Sequence, residues 1–296
     1  MIRVTVLGTS GSTPTKNRGM PSVALTYEGA VYLFDCGEGT QIKLMRYGIN
    51  LSKIKAIFIS HVHGDHVIGV AGLIRTMALN ARREPLYIFV PKGYERSVSN
   101  LVTFDKAIIG YQLVIKGISG GRIYKGMGFS VSAFRLNHSI PTYGYAFKED
   151  DKLRFIKGKA EKLGIKGTMF SELKRKRSIT ANGRRIALGS VTYYEHGKKI
   201  VYATDTRPCA STVKAARDAD LLIHEAAFAG SERRLAVERK HSTAYEAALV
   251  AKKAKAKALV TMHLSARYRS SDKLLAEAKK VFPNTIIAND GYTIYI

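Results

Sequence analysis

Residues 60 to 66 read Ser-His-Val-His-Gly-Asp-His, which packs three imidazoles and a carboxylate into one short stretch. The run before it, Lys55-Ala-Ile-Phe-Ile-Ser60, is apolar and β-branched and predicts a buried strand. The cluster therefore falls where a strand ends. His61 and His63 are two apart, so an extended backbone points both rings to one side. Asp65 and His66 open a helical pattern over 67–80 and offer donors to a second cation. Such a stretch is either a metal site or a polar loop that happens to be rich in histidine, and the spacing favours metal. It does not say what the metal does.

The chain has 296 residues, room for one large domain or two small ones, and shows neither a Pro- or Ser-rich linker nor an internal repeat. The start, Met1-Ile-Arg-Val-Thr-Val-Leu-Gly8, is strand-like and predicts no signal peptide. No apolar run approaches the roughly 18 residues that suggest a membrane span. The only cysteines are Cys36 and Cys209. A disulfide framework and a four-cysteine zinc site are both excluded, so a metal must use His and carboxylate. A cytoplasmic location is expected. Lys and Arg number 48 against 23 acidic residues, a net charge of +25. That excess predicts a polyanionic partner, with nucleic acid ahead of an anionic membrane surface.

Strands and helices alternate along most of the chain, which predicts an α/β protein with helix-covered sheets. Strands are expected at 2–8, 22–27, 30–35, 55–60, 86–90, 129–137, 143–148, 199–204, 219–223 and 258–262, with two more closing the chain. Helices are expected at 38–47, 67–80, 244–255 and 271–281, and one opening after Pro91 and Gly93. Residues 150–185 break the pattern. From Lys152 to Arg177 there are ten Lys or Arg and two Glu. Apolar residues look sparse, so this stretch is expected to be an exposed basic insertion within a single domain spanning 1–296.

Eight histidines occur, and six of them, with Asp35, Asp205 and Glu225, lie at or just after predicted strand ends. His241 opens a helix; His196 sits in a polar turn. So many converging groups predict a composite site. Two zinc ions need about seven ligands with one bridge. The chain supplies His61, His63, Asp65, His66, His138, Asp205 and His263. Such a pair lowers the pKa of a shared water and stabilises both oxygens of an in-line phosphoryl displacement. In a polybasic protein it predicts phosphodiester hydrolysis.

The motif His61-x-His63-x-Asp65-His66 resembles the metallo-β-lactamase superfamily. Leu7-Gly-Thr-Ser-Gly-Ser-x-Pro14, Phe34-Asp-Cys-Gly-Glu-Gly-Thr-Gln41, Asn137-His-Ser-Ile-Pro-x-Tyr-Gly-Tyr145, Thr204-Asp-Thr-Arg-Pro208 and Met262-His-Leu-Ser-x-Arg-Tyr268 narrow the resemblance to the ribonuclease Z family, the tRNA 3′-processing endonucleases. His224-Glu-Ala-Ala-Phe228 and His241-Ser-Thr243 are similar to two further loops of that family. The resemblance runs from residue 2 to about 291 and is to the short form.

The resemblance implies an αβ/βα four-layer sandwich with two zinc ions per subunit and no organic cofactor. It assigns His61, His63 and His138 to one metal and Asp65, His66 and His263 to the other, with Asp205 bridging. Asp35 would hold the histidine loop from behind the ligands, or else cap a helix at its strand end. Glu225 would orient His241 as the acid for the leaving ribose oxygen, and Asp65 would also handle the nucleophile's proton. His224 would position the Glu225 loop. The inserted arm, 150–185, would grip precursor tRNA through Lys162, Lys166, Lys174, Arg175, Lys176 and Arg177, with Arg267 also on the RNA. Lys166-Gly-Thr168 departs from the Gly and Pro the family often carries there. Cleavage should leave a 3′-hydroxyl on the tRNA and a 5′-phosphate on the trailer. A homodimer is expected. The competing readings are a small-molecule hydrolase of the same superfamily and an RNA-binding protein with a dead centre.

Overall fold

The computed structural model describes residues 1–103 and 109–296. These divide into two compact units. The first comprises Met1–Gly126, Ser130–Phe147 and Lys199–Ile296; the second comprises Met127–Phe129 and Lys148–Lys198.

The first unit is built on two seven-stranded sheets. One sheet runs, in spatial order, Thr293–Tyr295, Ile2–Gly8, Ser22–Tyr27, Ala30–Phe34, Ile54–Phe58, Leu86–Pro91 and Leu113–Ile118. Its first strands pair antiparallel and its last four parallel. The other sheet contains a parallel run of Lys199–Ala203, Leu221–Glu225, Leu259–Met262 and Thr285–Ile287. The sheets meet through an aromatic layer. Phe34 lies 5.9 Å from Tyr145 and 5.7 Å from Tyr202, and Phe58 lies 5.5 Å from Tyr145. Such ring pairs contribute about 0.5–1.5 kcal/mol beyond simple burial.

Each sheet turns its other face to helices. Val70, Leu73, Ile74 and Met77 of the helix Gly69–Leu79 pack on Leu33, Ile57 and Ile88. Ala247, Ala248, Ala251 and Ala254 of the helix Ala244–Ala254 lie against Val201, Leu222 and Leu259. The alanines lack bulk, so this helix can sit close to its sheet. The result is the expected αβ/βα sandwich. Strands parallel over such distances in sequence need helical crossovers, which the alternation along the chain had signalled.

The helix expected over 67–80 is broken in two: Gly64–Val67 and Gly69–Leu79. The cause is local. The His66 carbonyl accepts from the Cys36 amide at 2.9 Å, which takes it off the helical ladder. The break also places Asp65 and His66 inside the first short helix, not ahead of it.

The second unit is wider than the expected 150–185 and is no bare loop. Lys152–Phe155 pairs antiparallel with Thr192–Glu195, so the chain returns to close the unit beyond residue 185. Ile165, Leu173, Ile179, Ile186, Leu188 and Val191 form its buried cluster. The helices Lys157–Lys162 and Met169–Lys176 and the hairpin Ser178–Ala181/Arg184–Ala187 surround that cluster. Among the described residues, no helix is long and apolar enough to cross a membrane.

Candidate metal centre

The seven expected ligands come from segments that follow strands of both sheets, Asp65 and His66 from the short helix Gly64–Val67, and gather in one place. His61, His63, His138 and Asp205 bring one donor atom each within 4.8 Å of one another; Asp65, His66 and His263 do the same. His61 Nε2 and His63 Nδ1 are 3.0 Å apart, and His138 Nε2 is 3.4 Å from that Nδ1. Asp205 lies between the groups. Its Oδ2 is 3.5 Å from His61 Nε2, and its Oδ1 is 3.3 Å from His66 Nε2 and 3.0 Å from His263 Nε2. Asp65 Oδ2 is 3.4 Å from His66 Nε2 and 3.5 Å from His263 Nε2.

Three imidazoles have their tautomers set from behind. His66 Nδ1 donates to Asp35 Oδ2 at 2.8 Å, leaving Nε2 as the nitrogen that faces Asp205. Ser60 Oγ gives its proton to Asp35 at 2.9 Å, so His61 Nδ1 must donate to that oxygen at 2.9 Å. His138 Nδ1 faces the Lys240 carbonyl at 3.2 Å. In each ring Nε2 is the nitrogen left facing the cluster. Asp35 also accepts from the Ser60 amide at 2.7 Å and the Tyr202 hydroxyl at 2.7 Å. It caps no helix, since Thr40–Arg46 has Gly39 at its N-cap. Ser60 and Tyr202 had not been anticipated.

The electrostatics call for positive charge. Burial opposes ionisation of Asp205, yet His263, His66 and His61 hold it well below the usual carboxylate range. Burial also opposes a charge on His66, but Asp205 and Asp35 raise its basicity well above normal. Buried His66 Nε2 and both nitrogens of His263 make no well-aligned hydrogen bond despite these close carboxylates. Buried polar atoms left this way are costly unless something else engages them. Lone pairs converging on shared carboxylates fit cations with nitrogen and oxygen ligands.

Backbone strain marks the same place. Asp35, Asp205 and His263 have φ of 57°, 39° and 58°. The left-handed region costs side-chain-bearing residues about 1–3 kcal/mol and persists only where the surroundings enforce it. Gly11 has a packing reason: a Cβ there would come within 2.7 Å of the His263 ring.

Glu225 is fully buried beside the cluster. It accepts from His241 Nδ1 at 3.0 Å, from the Thr206 amide at 2.5 Å and from the Ser242 amide at 3.1 Å. Burial works against a charged His241, but Glu225 outweighs it and pushes the imidazolium up to about 9. His241 stacks on His263 at 5.3 Å, and one of its ring nitrogens lies within 4.8 Å of donor atoms of Asp205 and His263. Asp205, His241 and His263 could themselves hold an ion. His224 is buried and bonds the Glu225 carbonyl through Nδ1 at 2.7 Å. His196 is exposed, against Asp151 at 3.1 Å.

A cavity of about 220 Å³ beside the cluster is lined by Gly11, Ser12, Phe228, His241 and His263. A larger one, about 1080 Å³, lies along Cys209, Val213 and Lys253 and touches none of the seven ligands. The smaller cavity is the one next to the chemistry, so size is a poor guide here. Of the expected RNA contacts, Lys162, Lys166, Lys174, Arg175, Lys176 and Arg177 are exposed in the second unit. Lys176 pairs with Glu172 at 2.7 Å. Arg267, in the first unit, is held by Glu232 at 2.5 Å and lies over the Phe228 ring at 5.1 Å.

Known proteins resemble the chain along its length. The family described as "Beta-lactamase superfamily domain" matches residues 162–264, and that described as "Anti-Pycsar protein Apyc1" matches residues 2–108. The chain is 40% identical to the Ribonuclease Z of Methanosarcina acetivorans over 294 residues, 98% of this chain and 96% of that protein. It is 42% identical to the Ribonuclease Z of Archaeoglobus fulgidus over 302 residues, 100% of this chain and 98% of that one. The crystal structure of human tRNase Z, short form, superposes with a TM-score of 0.74 at 28% identity, covering 99% of both chains.

Proposed function

The chain belongs to the ribonuclease Z family of tRNA 3′-processing endonucleases, and from that membership we propose that the Asp205-centred cluster hydrolyses the phosphodiester joining precursor tRNA to its 3′ trailer. The observation that carries the reading is the junction of two ligand groups at Asp205 with the Glu225–His241 pair beside them.

His61, His63, His138 and Asp205 would hold one metal ion, and Asp65, His66, His263 and Asp205 a second. We take both as zinc. When bound, such ions polarise phosphoryl oxygens and make water a stronger nucleophile. The remaining work falls to the chain. Water oxygen adds to phosphorus while the bond to the ribose 3′-oxygen breaks, giving a 3′-hydroxyl on the tRNA and a 5′-phosphate on the trailer. An alkoxide is a poor leaving group, so a proton must reach the departing oxygen. His241 supplies it from Nε2. Glu225 keeps the ring charged and aimed through Nδ1. Asp65, fixed by the Ser12 amide at 3.0 Å, orients the water and accepts its proton.

The second unit is the proposed tRNA grip. Its exposed cations would meet phosphates and read shape, not sequence. The resemblance further supports a homodimer in the cytoplasm, checked by light scattering of the purified protein. The function is tested with precursor tRNA and His241→Ala. The zinc-loaded protein should cut at the 3′ end. The variant should lose ~10²–10⁴-fold in rate while keeping its metal. Loss of metal in that variant would make His241 a ligand instead.

A further inference from the structure

Arg207 and Glu246 are outside both ligand groups, yet together they fix the loop that carries His241. Arg207 Nη1 donates to the His241 carbonyl at 2.5 Å and to Glu246 Oε2 at 2.8 Å; Nη2 donates to Glu246 Oε1 at 2.5 Å. Glu246 is also the N3 residue of a capping box on the helix Ala244–Ala254. It accepts from the Thr243 amide at 3.0 Å, and its own amide donates to Thr243 Oγ1 at 3.2 Å. One carboxylate thus anchors both the helix start and the guanidinium that grips the loop.

The other end of the contact is tied down as well. The Arg207 amide donates to the Asn137 carbonyl at 2.9 Å, one residue before His138. Ser242 Oγ donates to the Thr206 carbonyl at 2.5 Å, and the Thr206 amide bonds Glu225. The segment after Asp205 is therefore laced to the His241 loop by side chain and backbone.

We propose that Arg207 and Glu246 are positioning residues for His241, forming a clamp that holds its imidazole in register with Glu225 and with the departing oxygen. This rests on the reading of His241 as the acid. A guanidinium suits the task because its planar fork meets two carboxylate oxygens and a carbonyl at once; an ammonium cannot reproduce that geometry. Proton transfer is sensitive to placement, and a shift of about 1 Å can cost ~10²-fold in rate.

The test compares Arg207→Met, Arg207→Lys, Glu246→Gln and His241→Ala in the metal-loaded full chain. Each is assayed on precursor tRNA and on bis(p-nitrophenyl) phosphate. Nitrophenolate leaves without a proton, so only the first substrate needs the acid. Arg207→Met should lose ~10²-fold in kcat on precursor tRNA with KM little changed. It should stay within a few-fold of the parent on the nitrophenyl diester, with metal content intact. Arg207→Lys should recover part of the loss, and it decides the matter if Arg207→Met does not fold. Equal losses on both substrates, or no loss on either, would overturn the clamp. If His241→Ala shows the split and the Arg207 variants do not, the clamp falls and the acid stands. If His241→Ala shows no split, the acid reading falls and the clamp goes with it.

Discussion

Tyr202 Oη donates to Asp35 Oδ2 at 2.7 Å, so a phenol from one sheet holds a carboxylate at a strand end of the other. Burial and the Asp35 charge both push the phenol well above its ordinary pKa, which keeps it a donor. Asp35 in turn holds His66 directly and His61 through Ser60. The aim of two proposed ligands thus depends on a residue from the opposite half. Tyr202→Phe deletes one hydrogen bond to a buried charge, which should cost about 1.5–3 kcal/mol of stability. Metal should be released at ~10-fold lower chelator concentration, as for other groups that support ligands from behind. Competition with a coloured chelator measures this, and an unchanged release curve would remove Tyr202 from the site.

Metal removal should destabilise the fold as well as stop cleavage. The buried imidazole nitrogens of His66 and His263 around Asp205, which lack well-aligned hydrogen bonds, would gain partners when cations bind. At a hundredfold excess of metal over Kd, each site should add roughly 2.7 kcal/mol. Scanning calorimetry before and after chelation should show a lower Tm in the stripped protein, restored by added zinc. Elemental analysis should count two ions per chain; a count near zero with full activity would dismiss the centre.

Charge reversal in the second unit should separate RNA binding from chemistry. Lys174, Arg175 and Lys176 are exposed on the helix Met169–Lys176, away from the buried face at Leu173. Changing all three to Glu should raise KM for precursor tRNA and flatten its dependence on log salt by ~0.7–0.9 per lost phosphate contact. Turnover of a small diester should stay at the parent value. Equal damage to both substrates would mean that the unit supports the fold.

The two cysteines should differ sharply toward alkylation. Burial pushes the Cys36 thiol up to about 12. Burial also works against the Cys209 thiolate, but hydroxyls of Ser211 and Thr212, each 3.1 Å from its sulfur, bring its pKa below the ordinary value. Near pH 8, iodoacetamide should modify native Cys209 and leave Cys36 untouched, as peptide mass spectrometry would read out. Modification of Cys36 at a similar rate would mean that its site opens.

The arm shows where reading the residues failed. Its cations dominate by number, so it reads as an exposed basic insertion without a core of its own. Its apolar residues, Ile165, Leu173, Ile179 and Ile186 among them, are spread over loop, helix and hairpin with no single period. They meet in one cluster within the unit that the pairing of Lys152–Phe155 with Thr192–Glu195 closes. Glu246 was better signposted, because Thr243-x-x-Glu246 is a capping-box pattern. Its contact with Arg207 was not, since that pair spans 39 positions. Tyr202 carried no signal at all beyond being an aromatic residue in a strand.

By itself the sequence determined the donor chemistry. Metal affinity belongs to the imidazole and carboxylate types, and ending a strand at His61, Asp205 or His263 is a local property of the chain. It determined the alternation that makes helix-covered sheets and the charge that calls for a polyanion. Only the tertiary structure decided the distances at which those donors meet and that Tyr202, Arg207 and Glu246 stand behind them. The physical reason is one of range. Periodicity and spacing report on neighbours a few residues apart, whereas a hydrogen bond of about 3 Å between sheets is set by how the two aromatic faces pack.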